Sequence, residues 1–260
     1  MASIKFFDSH IHIWPGCEGR CTALLDSGHV DGMNLILQPF GRKEAATLNR
    51  EAFDLKKKFG QQVQLACWVD LNDKDHVMAA EEAFRAHPEM TGIKIHPAGD
   101  HVEINEATCG RIFDFARERG LYIISHTQPT PGANAIAFEP VMQKRKDLRL
   151  ILGHASPIEE AVFMAVSFEH CYVEPSWLSH FSLMFEMMGR LFQHRKMLVG
   201  TDGPMRFHRW AVDQVAMDVI EEEIGYARKM LPTMKEVQAY CYGNAAEFFE
   251  LTISMSGSAS

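Results

Sequence analysis

The chain has 260 residues, 47% hydrophobic and 23% charged, a balance that builds one generous globular core. Its net charge of -8 lacks the basic footprint that a phosphate backbone or an anionic membrane requires, so neither nucleic acid nor membrane is an expected partner. Met1 to Lys5 leads directly into an apolar run without an export-signal pattern, and the six cysteines are scattered, so free thiols and a cytoplasmic location are expected.

Ile4-Lys5-Phe6-Phe7 reads as the start of a buried strand that ends in Asp8-Ser9-His10-Ile11-His12. Alternate strand residues share a face, so His10 and His12 project together. Two neutral imidazoles so placed suit a borderline-soft divalent metal, although two idle strand-end histidines would look the same.

The chain then alternates. Strands are expected at 32–37, 63–69, 92–96, 121–126, 148–154, 171–174 and 196–202. Helices are expected at 45–59, from an Asn72 N-cap to His87 before Pro88, at 106–119 ending on Gly120, and around 138–146. Ser156-Pro157-Ile158-Glu159 reads as a capping box opening a helix to His170. Further helices are expected at 180–194, 210–229 and 233–251, the last capped by Thr233 and Glu236. One domain is expected over 1–254, with a frayed polar tail at 255–260.

Eight strands, each followed by a helix, give the count of a single α/β chain folded as a (β/α)8 TIM barrel. A doubly wound open sheet would show a similar alternation but also a Gly-rich phosphate turn after an early strand, and the sequence has none. His10, His12, Lys94, His96, His126, His154 and Asp202 all fall at the C-terminal ends of expected strands. A barrel brings those ends to one rim, where active sites of this architecture lie.

The ordered motifs Asp-x-His-x-His, Gly-Ile-Lys-Ile-His-Pro, His-Thr, Gly-His and Gly-Thr-Asp-Gly-Pro resemble those of the amidohydrolase superfamily. The resemblance is to the amidohydrolase-related branch of metal-dependent hydrolases and aminocarboxymuconate semialdehyde decarboxylase-like enzymes. It spans nearly the whole chain, including Tyr242-Gly243-Asn244-Ala245-Ala246 in the closing helix.

The resemblance implies that His10, His12, His126 and Asp202 hold a divalent metal, with His154 either a further ligand or a neighbour of the attacking water. Three imidazoles and a carboxylate favour Zn²⁺ and also accommodate Mn²⁺ or Fe²⁺. Asp202 and His154 are the expected proton carriers. Asp202 as a plain helix N-cap is the structural alternative. Lys94 belongs to the metal shell in two-metal relatives, where it is carboxylated. In the favoured one-metal reading, Lys94 and His96 bind an anionic substrate group, and His96 could equally be an ordinary loop histidine.

Trp14, Trp177, Arg206 and His208 lie just past strand ends, where they would meet substrate or simply pack the loops. Cys17 and Cys21 lack the second pair of a structural zinc site, and Met184, Met187 and Met188 read as core filler. The implied activity is hydrolysis of an amide, lactone or ester in a small carboxylate-bearing molecule. Non-oxidative decarboxylation of an unsaturated or aromatic acid is the alternative, and a non-catalytic ligand-binding barrel the alternative of another class. Small barrels of this branch often pair, which leaves a homodimer open.

Overall fold

A computed structural model describes residues 4–16, 19–40, 45–176, 188, 190–191, 195–203 and 213–251. Cys17, Met184, Met187, Trp177, Arg206, His208, most of the expected 180–194 helix and the 255–260 tail lie outside the described residues. Seven parallel strands form one curled sheet in sequence order: β1 (Phe7–His12), β2 (Gly32–Ile36), β3 (Val63–Trp68), β4 (Gly92–Ile95), β5 (Tyr122–His126), β6 (Arg149–Gly153) and β7 (Cys171–Glu174). Nearly every strand residue is buried, because parallel strands connected through helices are covered on both faces.

An eighth strand was expected at 196–202. Residues 196–203 instead touch both edges of the sheet at isolated bridges, Met197 to Val173 of β7 and Gly203 to Ile11 of β1. Backbone bonds add to these: Leu198 N–H to Val173 O, Ser9 N–H to Val199 O at 2.9 Å and Asp202 N–H to His10 O at 2.8 Å. Contact without a continuous ladder leaves seven strands among the described residues.

Strand alternation sorts the core into two shells. Phe6, Leu35, Leu65, Ile93, Ile123, Leu150, Val173 and Val199 pack outward against the helices. Phe7, Ile36, Ala66, Tyr122, Ile124, Ile151, Tyr172 and Leu198 point into the curl with Phe248 and Phe249. The helix Asn244–Phe248 thus plugs the end of the curl where the strands begin: Phe249 meets Phe7 and Tyr122 at 5.1 Å, and Phe248 meets Tyr172 at 4.8 Å between ring centroids. Above this aromatic floor the inward positions turn polar, running Ile124 to His126, Tyr172 to Glu174 and Leu198 to Asp202.

Several element ends differ from expectation, each for a local reason. The third-strand helix runs His76–Ala86. Asp70 and Asp73 side chains accept the amides of Asn72 and Asp75 at 2.9 Å, and such turns compete with helix. Ser156 is not an N-cap: the helix is Ile158–Ser167 with Pro157 at its cap, and Ser156 N–H donates to Thr127 Oγ1. Thr233 does cap its helix, accepting from Glu236 N–H at 3.2 Å, but the closing helix is broken into Met234–Gln238, a wide π-helical turn Ala239–Gly243 and Asn244–Phe248. The expected cap at Gly120 is present, at φ 66.

Candidate metal centre

His10 and His12 reach the interior because β1 is not regular. Its register against β2 shifts between Asp8 and Ile11. An unbroken two-residue period would put Phe7 and His10 on opposite faces; a bulge re-aims the side chains beyond it. Asp8 stabilises the irregular stretch: its Oδ1 accepts from His10 N–H at 3.1 Å and Thr201 N–H at 3.0 Å, and its Oδ2 from the Thr201 hydroxyl at 2.6 Å.

At the top of the curl three ligand-type atoms converge. His10 Nε2 and His12 Nε2 stand 3.2 Å apart, and Asp202 Oδ1 lies 3.5 Å from the first and 3.4 Å from the second. His10, His12 and Asp202 form a buried group whose ligand atoms all lie within 4.8 Å of one another. Lys94 Nζ sits 3.1 Å from the same His10 nitrogen. His154 packs 5.2 Å from His10 and 4.3 Å from His126, centroid to centroid, and His126 stacks on His96 at 4.0 Å. His126, the third imidazole expected to hold the metal, stands outside that group and joins the rim through its ring contacts with His154 and His96. Trp14 is half-buried in the loop beyond His12.

Hydrogen bonds orient the rings. Glu174 accepts from Ser176 N–H and from the Ser176 hydroxyl, at 3.0 Å for the latter. With that carboxylate acting as acceptor, His10 Nδ1 donates to it at 2.6 Å, and His10 Nε2 carries its lone pair toward the centre, where Lys94 Nζ stands 3.1 Å away. Because the Ser176 proton goes to Glu174, its oxygen accepts from His154 Nδ1 at 3.0 Å, which leaves the lone pair on His154 Nε2 as well. Gly200 makes room for this pair, since a Cβ there would fall 2.6 Å from Glu174 Oε1 and 2.8 Å from His10 Cβ.

The electrostatics show what the cluster wants. Burial pushes the Glu174 carboxyl up to about 8 and Asp8 up to about 7. Burial also pulls Lys94 down to about 8, His154 and His96 down to about 4, and His10 well below its ordinary value. Desolvation drives each of these six groups toward its neutral form, a tendency that a bound divalent cation reverses for carboxylates, so the ionised Glu174 that orients His10 goes with a cation held at the centre. Imidazole lone pairs facing one another across a carboxylate oxygen fit such a cation. His154 and Asp202 also hold left-handed backbone at φ 67 and φ 52, a costly conformation for a residue with a Cβ that clusters at functional sites.

Glu174, Ser176 and Trp68 escaped the sequence reading. Trp68, paired with Lys94 in the β3–β4 register, lies 5.8 Å from His12 and 6.3 Å from His96 between ring centroids. A carboxylate closing an apolar strand, as Glu174 does in Cys171-Tyr172-Val173-Glu174, was the available signal.

A family model described as Amidohydrolase matches residues 36–251, and the chain belongs to that family. Solved structures share the fold. An amidohydrolase from Burkholderia multivorans with bound zinc is 15% identical with TM-score 0.65, covering 95% of this chain and 100% of the other. The 5-carboxyvanillate decarboxylase of Sphingomonas paucimobilis is 13% identical with TM-score 0.69, covering 96% and 100%. A Tim-barrel protein from Bordetella bronchiseptica is 13% identical with TM-score 0.69, covering 95% and 98%. No curated protein sequence matches the chain significantly.

The described cysteines Cys21, Cys67, Cys109, Cys171 and Cys241 are buried, and Cys67, Cys109, Cys171 and Cys241 are free thiols. No helix among the described residues is long and apolar enough to cross a membrane.

Proposed function

We propose that the chain is a metal-dependent hydrolase acting on an amide, lactone or ester in a small carboxylate-bearing molecule. The observation that carries this is the convergence of His10 Nε2, His12 Nε2 and Asp202 Oδ1 at the top of the curl. His126 completes the ligand set in this reading, and segment 196–202 is the eighth stave of a (β/α)8 barrel forming one domain over 1–254. A divalent cation held there, zinc by preference, would polarise a carbonyl and make water acidic enough to react near neutral pH.

The remaining steps belong to the chain. Asp202 accepts the proton of the attacking water, since a carboxylate in reach of it is a competent base. His154, with Nε2 bare and its other nitrogen tied to Ser176, takes that proton on and delivers it to the leaving group. Lys94, 1% exposed, keeps a cation beside the centre for the substrate's carboxylate. Trp177, Arg206, His208 and Trp14 are proposed as loop residues that shape specificity. A cytoplasmic location and pairing of two copies complete the proposal.

Decarboxylation of an aromatic acid is the second reading, supported by the likeness in fold to 5-carboxyvanillate decarboxylase. Incubating the zinc-loaded protein with lactones, esters, amides and aromatic carboxylic acids separates the readings. Ring opening or acid release supports hydrolysis, carbon dioxide release from the aromatic acids supports decarboxylation, and turnover of none supports a ligand-binding barrel.

A further inference from the structure

The histidines of the rim are not equivalent, and the difference lies in their partners. His10 Nδ1 faces a carboxylate and His154 Nδ1 a hydroxyl oxygen. His96 is oriented the opposite way: its Nδ1 accepts the backbone N–H of Gly99 at 2.9 Å, capping the turn Pro97–Asp100. A backbone amide can only donate, so His96 Nδ1 carries a lone pair and the ring proton sits on Nε2. The ring is half-buried, stacks on His126 at 4.0 Å with planes 15° apart, and lies nearly parallel to Trp68. Its Nε2 has no hydrogen-bond partner among the described residues. Gly99 permits this approach, because a Cβ there would stand 2.8 Å from His96 Nδ1.

We propose that His96 is a fixed, neutral hydrogen-bond donor that presents Nε2–H to an oxygen of the substrate, with Gly99 as the positioning residue that sets its tautomer. The proposal rests on the metal-hydrolase reading above and narrows it. His96 is neither a metal ligand nor a base, and the substrate carries a carbonyl, carboxylate or phenolate oxygen beside the reacting carbon. A preset donor aimed where negative charge develops needs no reorganisation during the reaction.

Two measurements test it. Nitrogen-15 NMR of the histidine rings in the metal-free protein reads the tautomer directly: a bare Nδ1 with protonated Nε2 at His96 is expected, lost in Gly99→Ala. Calorimetry of the zinc-loaded protein with acetate, benzoate and 2-hydroxybenzoate then reads the donor. His96→Phe is expected to weaken the tightest of these by about tenfold or more with zinc content unchanged, while His96→Gln, which keeps an N–H, recovers part of the loss.

A protonated Nδ1 at His96, equal affinity in His96→Phe, no binding of any of the acids by zinc-loaded wild type, or zinc lost in His96→Phe would each overturn the proposal. The last would make His96 a ligand. Wild-type protein that takes up no zinc contradicts the metal reading instead, and the tautomer of the metal-free protein then decides for His96 alone.

Discussion

Glu174 Oε2 lies 2.6 Å from His10 Nδ1, and both side chains are sealed from solvent. The carboxylate holds His10 in the tautomer that turns the Nε2 lone pair to the centre. Partners of this kind to ligating histidines typically account for 10- to 100-fold in metal affinity. Glu174→Gln replaces an acceptor with an amide that can donate, and is expected to raise the zinc dissociation constant by about 10- to 100-fold. Competition against a fluorescent chelator measures this. Unchanged affinity would remove Glu174 from the centre's support.

Gly200 is the steric counterpart of that pair. Adding a methyl group 2.6 Å from Glu174 Oε1 and 2.8 Å from His10 Cβ forces the strand edge or the pair to shift. Gly200→Ala is expected to destabilise the fold by about 1–3 kcal/mol and to weaken zinc binding in parallel, read by urea unfolding and by zinc titration. Loss of neither would show that the edge yields freely.

The floor of the curl predicts a purely structural effect. Phe248 is 4% exposed and meets Tyr122, Tyr172 and Phe249 edge-on. Phe248→Ala should cost about 3–5 kcal/mol by urea unfolding, since an aromatic cluster of this size leaves a cavity that neighbours cannot fill.

Outside the site, Arg145 is 3% exposed in its side chain and ties the helix Glu106–Glu118 to its own segment. It donates to Glu106 Oε1 and Asp114 Oδ1, each at 2.8 Å, and to Gly110 O at 3.1 Å. Arg145 holds the Glu106 carboxyl down to about 2 from 4.5 and lowers Asp114 below 3.8. Carboxylates depressed in the folded state stabilise it above their ordinary values, and that contribution fades as pH falls through the folded ones. Both acids are nearly half exposed, so solvent screening discounts the effect. Arg145→Met is expected to lower Tm by roughly 2–6 °C near pH 7, with the gap to wild type shrinking from about pH 4.5 toward pH 2. A gap independent of pH would assign Arg145 to packing alone.

The motif residues His10, His12, Lys94, His126, His154 and Asp202 were legible in the sequence because each closes an apolar run, and a run's end needs only periodicity to find. The alternation of strands with helices was legible for the same reason. What was hidden depends on relations between distant segments. The irregular stretch of β1 around His10 is tied by Asp8 to Thr201, 193 residues on, and the Glu174–His10 pair spans 164 residues. Local turns compete as well: Asp70 and Asp73 accept the amides of Asn72 and Asp75, and the helix starts at His76 rather than after Asn72. Segment 196–202 reads as a strand from Leu198 and Val199, yet its Gly200 packs directly against Glu174 and His10 and its Asp202 holds left-handed backbone, which regular strand geometry does not include.

The central claim is that His10, His12, His126 and Asp202 hold a metal. Elemental analysis of purified, zinc-reconstituted protein tests it most directly, with wild type beside His126→Ala and Asp202→Asn. The account predicts about one zinc per chain in wild type, falling sharply in both variants while their folded circular dichroism persists. Wild type that retains no zinc after reconstitution, or variants that retain it fully, would contradict the account.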